Sequence, residues 1–252
     1  METPFWLDEP AELLPVVRLE GPVEVAIVGG GVTGCSCALT LAEAGMRVRL
    51  YEARAIASGA SGRNGGFALR GGAMRYDAAR SRFGPERAAA FWRLTERTLD
   101  RMGELAGDAC RRVGSLRLAA DEQERDELRA EHDALRADGF AVEWFDELPE
   151  RLAGTYPAAI LHPEDATLHP GRWVRRLAVK AADAGAEIRE GTRVVSLDEL
   201  DAEHVVIATD GYTSGLVEDL DRVVRPTRGQ VVATEPLSEL LYERPHYTRR
   251  GF

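Results

Sequence analysis

Lysine is almost missing from this chain of 252 residues: Lys180 is the single lysine among 32 basic residues. Arginine codons are GC-rich and lysine codons are not, so the bias predicts a GC-rich, bacterial genome. Cysteine is scarce as well. Cys35, Cys37 and Cys110 are too few for a disulfide framework in a chain this long. Cys35 and Cys37 stand about 200° apart around a helix axis, which predicts buried small residues and not a metal or redox pair. No apolar stretch approaches the length that crosses a bilayer. The N-terminal residues, with Glu2, Asp8, Glu9 and Glu12, lack the basic start and apolar run of a secretory signal. These absences predict a cytoplasmic location. Positive charge is also outweighed, 42 acidic to 32 basic, for a formal net charge of -10. An acidic chain repels phosphate backbones and anionic lipid heads, so neither nucleic acid nor membrane is an expected partner.

What remains is an ordinary globular composition, 44% hydrophobic and 29% charged, long enough for one large domain or two smaller ones. Residues 1–22 form a proline-punctuated lead-in that closes on Gly21-Pro22. Residues 23–28 are a near-continuous apolar run, as in a strand buried on both faces of a parallel sheet. A glycine-rich turn, a helix over residues 35–44 with Gly45 at its end, and a strand over residues 47–51 complete one βαβ unit. Further helices are predicted over residues 85–105, 121–137 and 170–184, with a strand-like stretch over residues 113–119. The charge of residues 121–137 reads as a solvated helix face. Short strands are predicted over residues 187–189 and 193–197, a buried one over residues 204–208, and a last one over residues 230–234.

Gly29, Gly31 and Gly34 hold G-x-G-x-x-G spacing, which Ala38 extends. Gly29 permits the tight turn out of the strand, and Gly31 lets the backbone approach a pyrophosphate. Gly34 and Ala38 let the helix pack closely on the sheet. The helix N-terminus then offers unpaired N–H groups and a positive dipole end to the phosphates. Glu52 lies 18 residues beyond Gly34 at the end of the second strand. A carboxylate there accepts hydrogen bonds from ribose hydroxyls and repels a 2′-phosphate, which argues against NADP. The motif fits NAD and FAD equally well.

A second glycine-rich loop, residues 58–66, reads either as a surface loop or as a close approach to a bulky planar ligand. In it, Arg63 can neutralise a phosphate and Asn64 can both donate and accept. His162 and His169 flank the acidic turn Pro163-Glu164-Asp165. With no helical period between them they read as ordinary loop residues, and no metal site is expected.

Taken together, Val25-Ala26-Ile27-Val28-Gly29-Gly30-Gly31-Val32-Thr33-Gly34, Tyr51-Glu52-Ala53 and Gly59-Ala60-Ser61-Gly62-Arg63-Asn64-Gly65-Gly66 resemble the D-amino-acid oxidase superfamily of flavoenzymes. The nearest branch is the glycine/sarcosine oxidase-like group that includes γ-glutamylputrescine oxidase. The early Phe5-Trp6-Leu7 is similar to that branch's lead-in, and His169-Pro170-Gly171 to its segment before a second FAD contact. Gly191-Thr192-Arg193-Val194 resembles the strand whose backbone meets the adenine. Val205-Val206-Ile207-Ala208-Thr209-Asp210-Gly211-Tyr212 resembles the strand and turn that re-approach the pyrophosphate.

The resemblance implies an α/β fold, a Rossmann-like FAD-binding domain with part of an α+β substrate domain. The expected parts are residues 23–80 with 160–222 for FAD, and 81–159 with 223–252 for substrate. It also implies a cofactor site of Gly29, Gly31, Gly34, Glu52, Ala53, Ser61, Arg63, Asn64, Gly65, Gly66, Val194, Thr209 and Gly211. The implied reaction is hydride transfer from an amine or amino acid to flavin, with dioxygen reduced to hydrogen peroxide. The flavin carries that chemistry, so no catalytic side-chain triad is required; none is present, and no catalytic residue is assigned. Two features depart from the family pattern. Asp210 stands where glycine is usual, and the family's chain continues well past residue 252. Thr248-Arg249-Arg250-Gly251-Phe252 reads as a strand entry with no strand following. The chain is therefore expected to be C-terminally truncated, with an exposed sheet edge around residues 230–234 that promotes self-association. The alternatives are an inactive flavin-fold protein and an NAD-dependent dehydrogenase.

Overall fold

The computed structural model describes residues 4–150, 152–227, 229–235 and 244–248. In chain order the regular elements are β1 (Val23–Val28), α1 (Val32–Glu43), β2 (Val48–Tyr51), β3 (Phe67–Ala68), α2 (Tyr76–Phe83) and α3 (Pro85–Ala106). They continue as β4 (Cys110–Arg111), β5 (Ser115–Leu118), α4 (Glu122–Ala137), β6 (Glu143–Phe145), β7 (Ala159–His162) and β8 (Ala166–Leu168). Last come α5 (Pro170–Asp183), β9 (Glu187–Arg189), β10 (Ala202–Ile207), α6 (Glu218–Asp221) and β11 (His246–Tyr247). They group into two compact units, residues 1–65 with 169–235 and residues 66–168 with 236–252.

The first unit is an α/β layer built on a parallel sheet of order β10-β1-β2-β9. Val25, Ala26, Ile27, Val48 and Leu50 are buried in it. Helix α1 packs against α5, whose Val174, Leu177, Ala178 and Ala181 repeat at helical spacing and are all buried. Across β2 and β9, register partners Arg49 and Glu187 form a buried ion pair at 2.6 Å. Arg49 Nη2 also donates to the Leu19 carbonyl at 2.6 Å, so the lead-in is tied to the sheet.

The second unit holds an antiparallel core, β5-β7-β6, to which β11 adds in parallel, and a small sheet of order β3-β8-β4. Helices α2, α3 and α4 bury Tyr76, Trp92, Leu128, Leu135 and Phe140 together. Because β3 pairs with β8, residues 66–80 and 160–168 group with this unit.

Several expectations are corrected. Residues 230–234 form no strand: they are irregular and exposed, Val232 at 78%. No ladder partner holds them among the described residues, so the expected sheet edge and its ground for self-association are absent there. A short strand, β11, forms at His246–Tyr247, just ahead of the expected strand entry; of that entry Thr248 is irregular and residues 249–252 lie outside the described residues. Residues 193–197 are irregular up to a 3-10 turn at Leu197–Glu199. Strand β10 is an edge strand whose Glu203, His204 and Val205 are exposed, not buried. The charged helix α4 is not wholly solvated either. Glu131, 3% exposed, pairs with Arg117 and accepts from the Tyr76 N–H at 2.9 Å. Glu124 is buried as half of a reciprocal N-terminal cap: Asp121 accepts from the Glu124 N–H and Glu124 from the Ala120 N–H, both at 2.9 Å.

Candidate cofactor site

The end of β1 turns into α1 through three residues without side chains. Gly29 has φ +114, and a Cβ on it would lie 2.5 Å from the Ala208 carbonyl oxygen. The left-handed backbone and the nearness of the chain after β10 both demand glycine there. Gly31 is the N-cap of α1, with no side-chain cap. A Cβ on Gly34 would overlap the Gly29 carbonyl oxygen, so the helix can sit this close to the turn only with glycine. The first turn of α1 thus presents backbone N–H groups and its dipole to the concave side of the loop.

Glu52 follows β2 and reaches back to that turn. Its carboxylate accepts from the Gly30 N–H at 2.8 Å and from the Arg54 N–H at 2.9 Å. One lone pair on each oxygen is engaged, leaving two for ribose hydroxyls. Ala53 is half-buried beside it. Residues 191–192 run alongside, with the Thr192 N–H donating to the Glu52 carbonyl at 2.8 Å and the Gly191 N–H to the Arg54 carbonyl at 2.7 Å. Val194, half-buried, lies just beyond in irregular chain.

Residues 58–66 are brought to the same place from thirty positions away. Ser61 Oγ accepts from the Val32 N–H at 3.0 Å, at the first residue of α1. A Cβ on Gly31 would come within 2.9 Å of that hydroxyl. Accepting there leaves the Ser61 hydroxyl with its own hydrogen still to donate. Ala57, with φ +68, donates its N–H to the Gly30 carbonyl at 3.1 Å. Asn64 Nδ2 donates to the Ser61 and Ala60 carbonyls at 2.9 and 3.3 Å, and Arg63 Nε to the Ser58 carbonyl at 2.8 Å. Gly65 is exposed and ends the first unit; Gly66 is buried and begins the second.

The chain after β10 closes the other side of the turn. The Ala208 N–H donates to the Val28 carbonyl at 2.8 Å, and the Tyr212 N–H to Thr209 at 2.9 Å. The hydroxyls of Thr209 and Thr213 are 2.7 Å apart. A Cβ on Gly211 would meet Pro226 at 3.1 Å. Asp210, which stands where the family usually has glycine, adopts φ +47, a left-handed backbone that favours glycine. Tyr212 lies beside Gly59, with the Arg54 guanidinium 5.5 Å from its ring centroid.

Gly29, Gly31, Gly34, Glu52 and Ser61 are therefore in direct contact or one residue removed, and Thr209 and Gly211 join them through Ala208. Three contributors had no signal in spacing. Ala57 looks like any small residue. Glu190 Oε1 accepts from the Ile56 N–H at 2.6 Å, and Trp6 Nε1 donates to the Asn64 carbonyl at 2.8 Å. Ser58 Oγ is buried with no hydrogen-bond partner among the described residues, a state that a ligand contact would relieve.

Of the two histidines, His169 lies outside any regular element, between β8 and α5, and His162 is in a strand. His169 caps α5, its Nδ1 accepting from the Arg172 N–H at 3.2 Å. His162 ends β7 and lies buried 3.2 Å from Arg70. Burial, with the Arg70 and Arg117 guanidinium groups nearby, pushes the His162 imidazole down to about 3. Burial pushes the Cys35 thiol up to about 12, so it is inert. Among the described residues no group of three His, Cys, Asp or Glu is placed to hold a metal, and no helix is long and apolar enough to cross a membrane.

The chain is similar to known proteins. The chain is 27% identical to a probable oxidoreductase, OrdL, of Haemophilus influenzae, over 89% of this chain and 58% of that one. It is 29% identical to a γ-glutamylputrescine oxidoreductase of Escherichia coli, over 86% and 56%. The crystal structure of glycine oxidase from Geobacillus kaustophilus superposes with a TM-score of 0.62 at 29% identity, over 78% of this chain and 57% of that one. The chain thus spans little more than half the length of these relatives. Residues 24–251 match the family model of the DAO, FAD dependent oxidoreductase, proteins. With FAD as the family's cofactor, the chain belongs to the DAO family of FAD-dependent oxidoreductases.

Proposed function

We propose that the protein oxidises an amine or amino acid by hydride transfer to bound FAD, with dioxygen reduced to hydrogen peroxide. The contact between Ser61 and the Val32 N–H carries the reading, because it brings the 58–66 loop to the phosphate end of the dinucleotide turn. The buried, unpartnered Ser58 hydroxyl in that loop and the side-chain-free turn at residues 29–31 fit a cofactor of this size. The names of the relatives, a glycine oxidase and a γ-glutamylputrescine oxidoreductase, support the substrate class.

In this reading the N-terminal turn of α1 receives the pyrophosphate on backbone N–H groups, helped by the Ser61 hydroxyl. Glu52 accepts from the ribose and excludes a 2′-phosphate. Val194 contributes backbone beside the adenine, and Thr209 and Gly211 approach the pyrophosphate from the other side. Ala53, Arg63, Asn64, Gly65 and Gly66 continue toward the flavin. FAD supplies the two-electron acceptor, and the protein supplies binding, orientation and electrostatics. The first unit holds the cofactor, and the second forms part of a substrate domain.

Purified protein mixed with FAD, desalted and scanned tests the reading: retained flavin absorbance and peroxide release on adding amines are expected. Protein that retains no flavin, or that answers only to NAD, overturns it. Stoichiometric flavin with no turnover of any amine would instead support the inactive flavin-fold alternative.

A further inference from the structure

The lead-in ahead of β1 makes contacts that the proposed chemistry does not use. Phe5–Leu7 forms a single 3-10 turn. Its Trp6 indole N–H donates to the Asn64 carbonyl at 2.8 Å. The same ring meets the His169 imidazole edge-on, with centroids 4.9 Å apart at 68°. Glycines make room for the turn on both sides. A Cβ on Gly171, in the first turn of α5, would overlap the Trp6 carbonyl oxygen, and a Cβ on Gly62 or Gly171 would reach Leu7 at 3.1 Å. Glu9 secures the far end by pairing with Arg172 at 2.7 Å.

We propose that Trp6 is a positioning residue for the cofactor loop, holding the backbone at Asn64 against the start of α5. The loop needs such a tie. Gly62, Gly65 and Gly66 surround Asn64, and glycine loses more backbone freedom on ordering than any other residue. The Asn64 side chain is bonded inward to Ala60 and Ser61, so it closes the loop on itself. Trp6 ties that closed loop, across 58 residues of sequence, to a ring set edge-on against His169, the cap of α5. A loop ordered in advance spares the cofactor the cost of ordering it. The inference rests on the reading that residues 58–66 contact FAD.

Trp6→Phe keeps a ring against His169 and removes the N–H donor. In FAD-free protein, amide exchange across residues 57–66 should accelerate by about fivefold, the scale of one modest hydrogen bond. This stretch includes the Gly62 and Arg63 amides that donate to Gly59 and Ala60. Exchange in β1 and β2 should accelerate by no more than that factor, the melting temperature should fall by no more than about 2–4 °C, and FAD affinity should fall by a similar factor. Unchanged exchange over residues 57–66, or a larger acceleration in β1 and β2 than in that stretch, overturns the positioning role. Ser61→Val separates the two readings. If Ser61→Val weakens FAD binding and Trp6→Phe does not, the positioning role fails while the cofactor loop stands. If Ser61→Val leaves FAD binding intact, the loop assignment itself fails and takes the Trp6 proposal with it.

Discussion

Replacing Glu52 by glutamine removes a charge and one acceptor while keeping the shape. In the cofactor-free protein both carboxylate oxygens are engaged, one by the Gly30 N–H at 2.8 Å and one by the Arg54 N–H at 2.9 Å. An amide has a single oxygen, so in Glu52→Gln one of these N–H groups faces an NH2 donor instead. A hydrogen bond to a charged group is worth about 1.5–3 kcal/mol. Glu52 is half-buried, so solvent screening favours the lower end. The variant should therefore lose about 1.5 kcal/mol of stability before any cofactor is added. It also loses an acceptor for the ribose, which should weaken FAD by a further factor of about ten. Urea unfolding of FAD-free protein reads the first effect, and fluorescence titration with FAD reads the second. Loss of FAD affinity without loss of stability would show that Glu52 does not brace the turn in advance. A variant equal to wild type in both measurements would refute the placement of Glu52 altogether.

Gly31→Val should abolish FAD retention while α1 still forms, because the new side chain enters the space over the helix N-terminus and comes against the Ser61 hydroxyl; stoichiometric flavin in this variant would show the phosphate turn to be misplaced. Asp210→Gly should raise stability by about 1 kcal/mol, by relieving a left-handed aspartate, and should tighten FAD by removing an acid from the turn; thermal melts with and without FAD check both. His162 predicts acid sensitivity. Its imidazole is pushed from an ordinary 6.5 to about 3, so below pH 6.5 the unfolded chain takes up a proton that the folded chain refuses. Its contribution is complete above pH 6.5 and is lost as pH falls toward 3, by at most about 5 kcal/mol at 1.36 kcal/mol per pH unit. Asp165 and Glu131, raised by burial, act in the opposite sense, because the folded state then holds their protons more tightly. Urea midpoints between pH 7 and 5 should therefore fall less steeply in His162→Gln than in wild type, and equal slopes would refute the assignment.

The parts of this fold that a sequence displays are those whose physics is local. The β1-α1-β2 unit announces itself because a buried run, a side-chain-free turn and an acid at the strand end are all forced within about thirty residues. Helices α3 and α5 begin at Pro85 and Pro170 for a similar reason, proline suiting the first helical position. Apart from β5, which lies within the strand-like stretch at residues 113–119, the strands of the second unit offer no such sign. Phe67–Ala68 and Ala166–Leu168 are two and three residues long and find one another across about a hundred positions, too short for any period to register. Val231 and Val232 mislead in the opposite direction, since β-branched residues suit strands only where a neighbouring strand is present to pair with them.

The candidate cofactor site divides along the same line. Gly29, Gly31, Gly34 and Glu52 follow from spacing, because each serves one turn and the strand ends beside it. Ser61 does not. Its residue type permits many roles, and only the resemblance, not the spacing, put it in the candidate cofactor site. The structure supplies the cause: a hydroxyl can replace the missing side-chain cap of α1, accepting from the Val32 N–H, and still have a proton to donate. Glu131 shows the same limit in charge. On a helix so rich in Glu, Asp and Arg, one carboxylate at a buried position is indistinguishable by type from its solvated neighbours. Only Arg117 and the Tyr76 N–H, contributed by other elements, make its burial affordable. Where a residue's role depends on a partner from a distant element, composition and period carry no trace of it, and residues 57–66 depend on three such partners: Gly30 for Ala57, Val32 for Ser61 and Trp6 for Asn64.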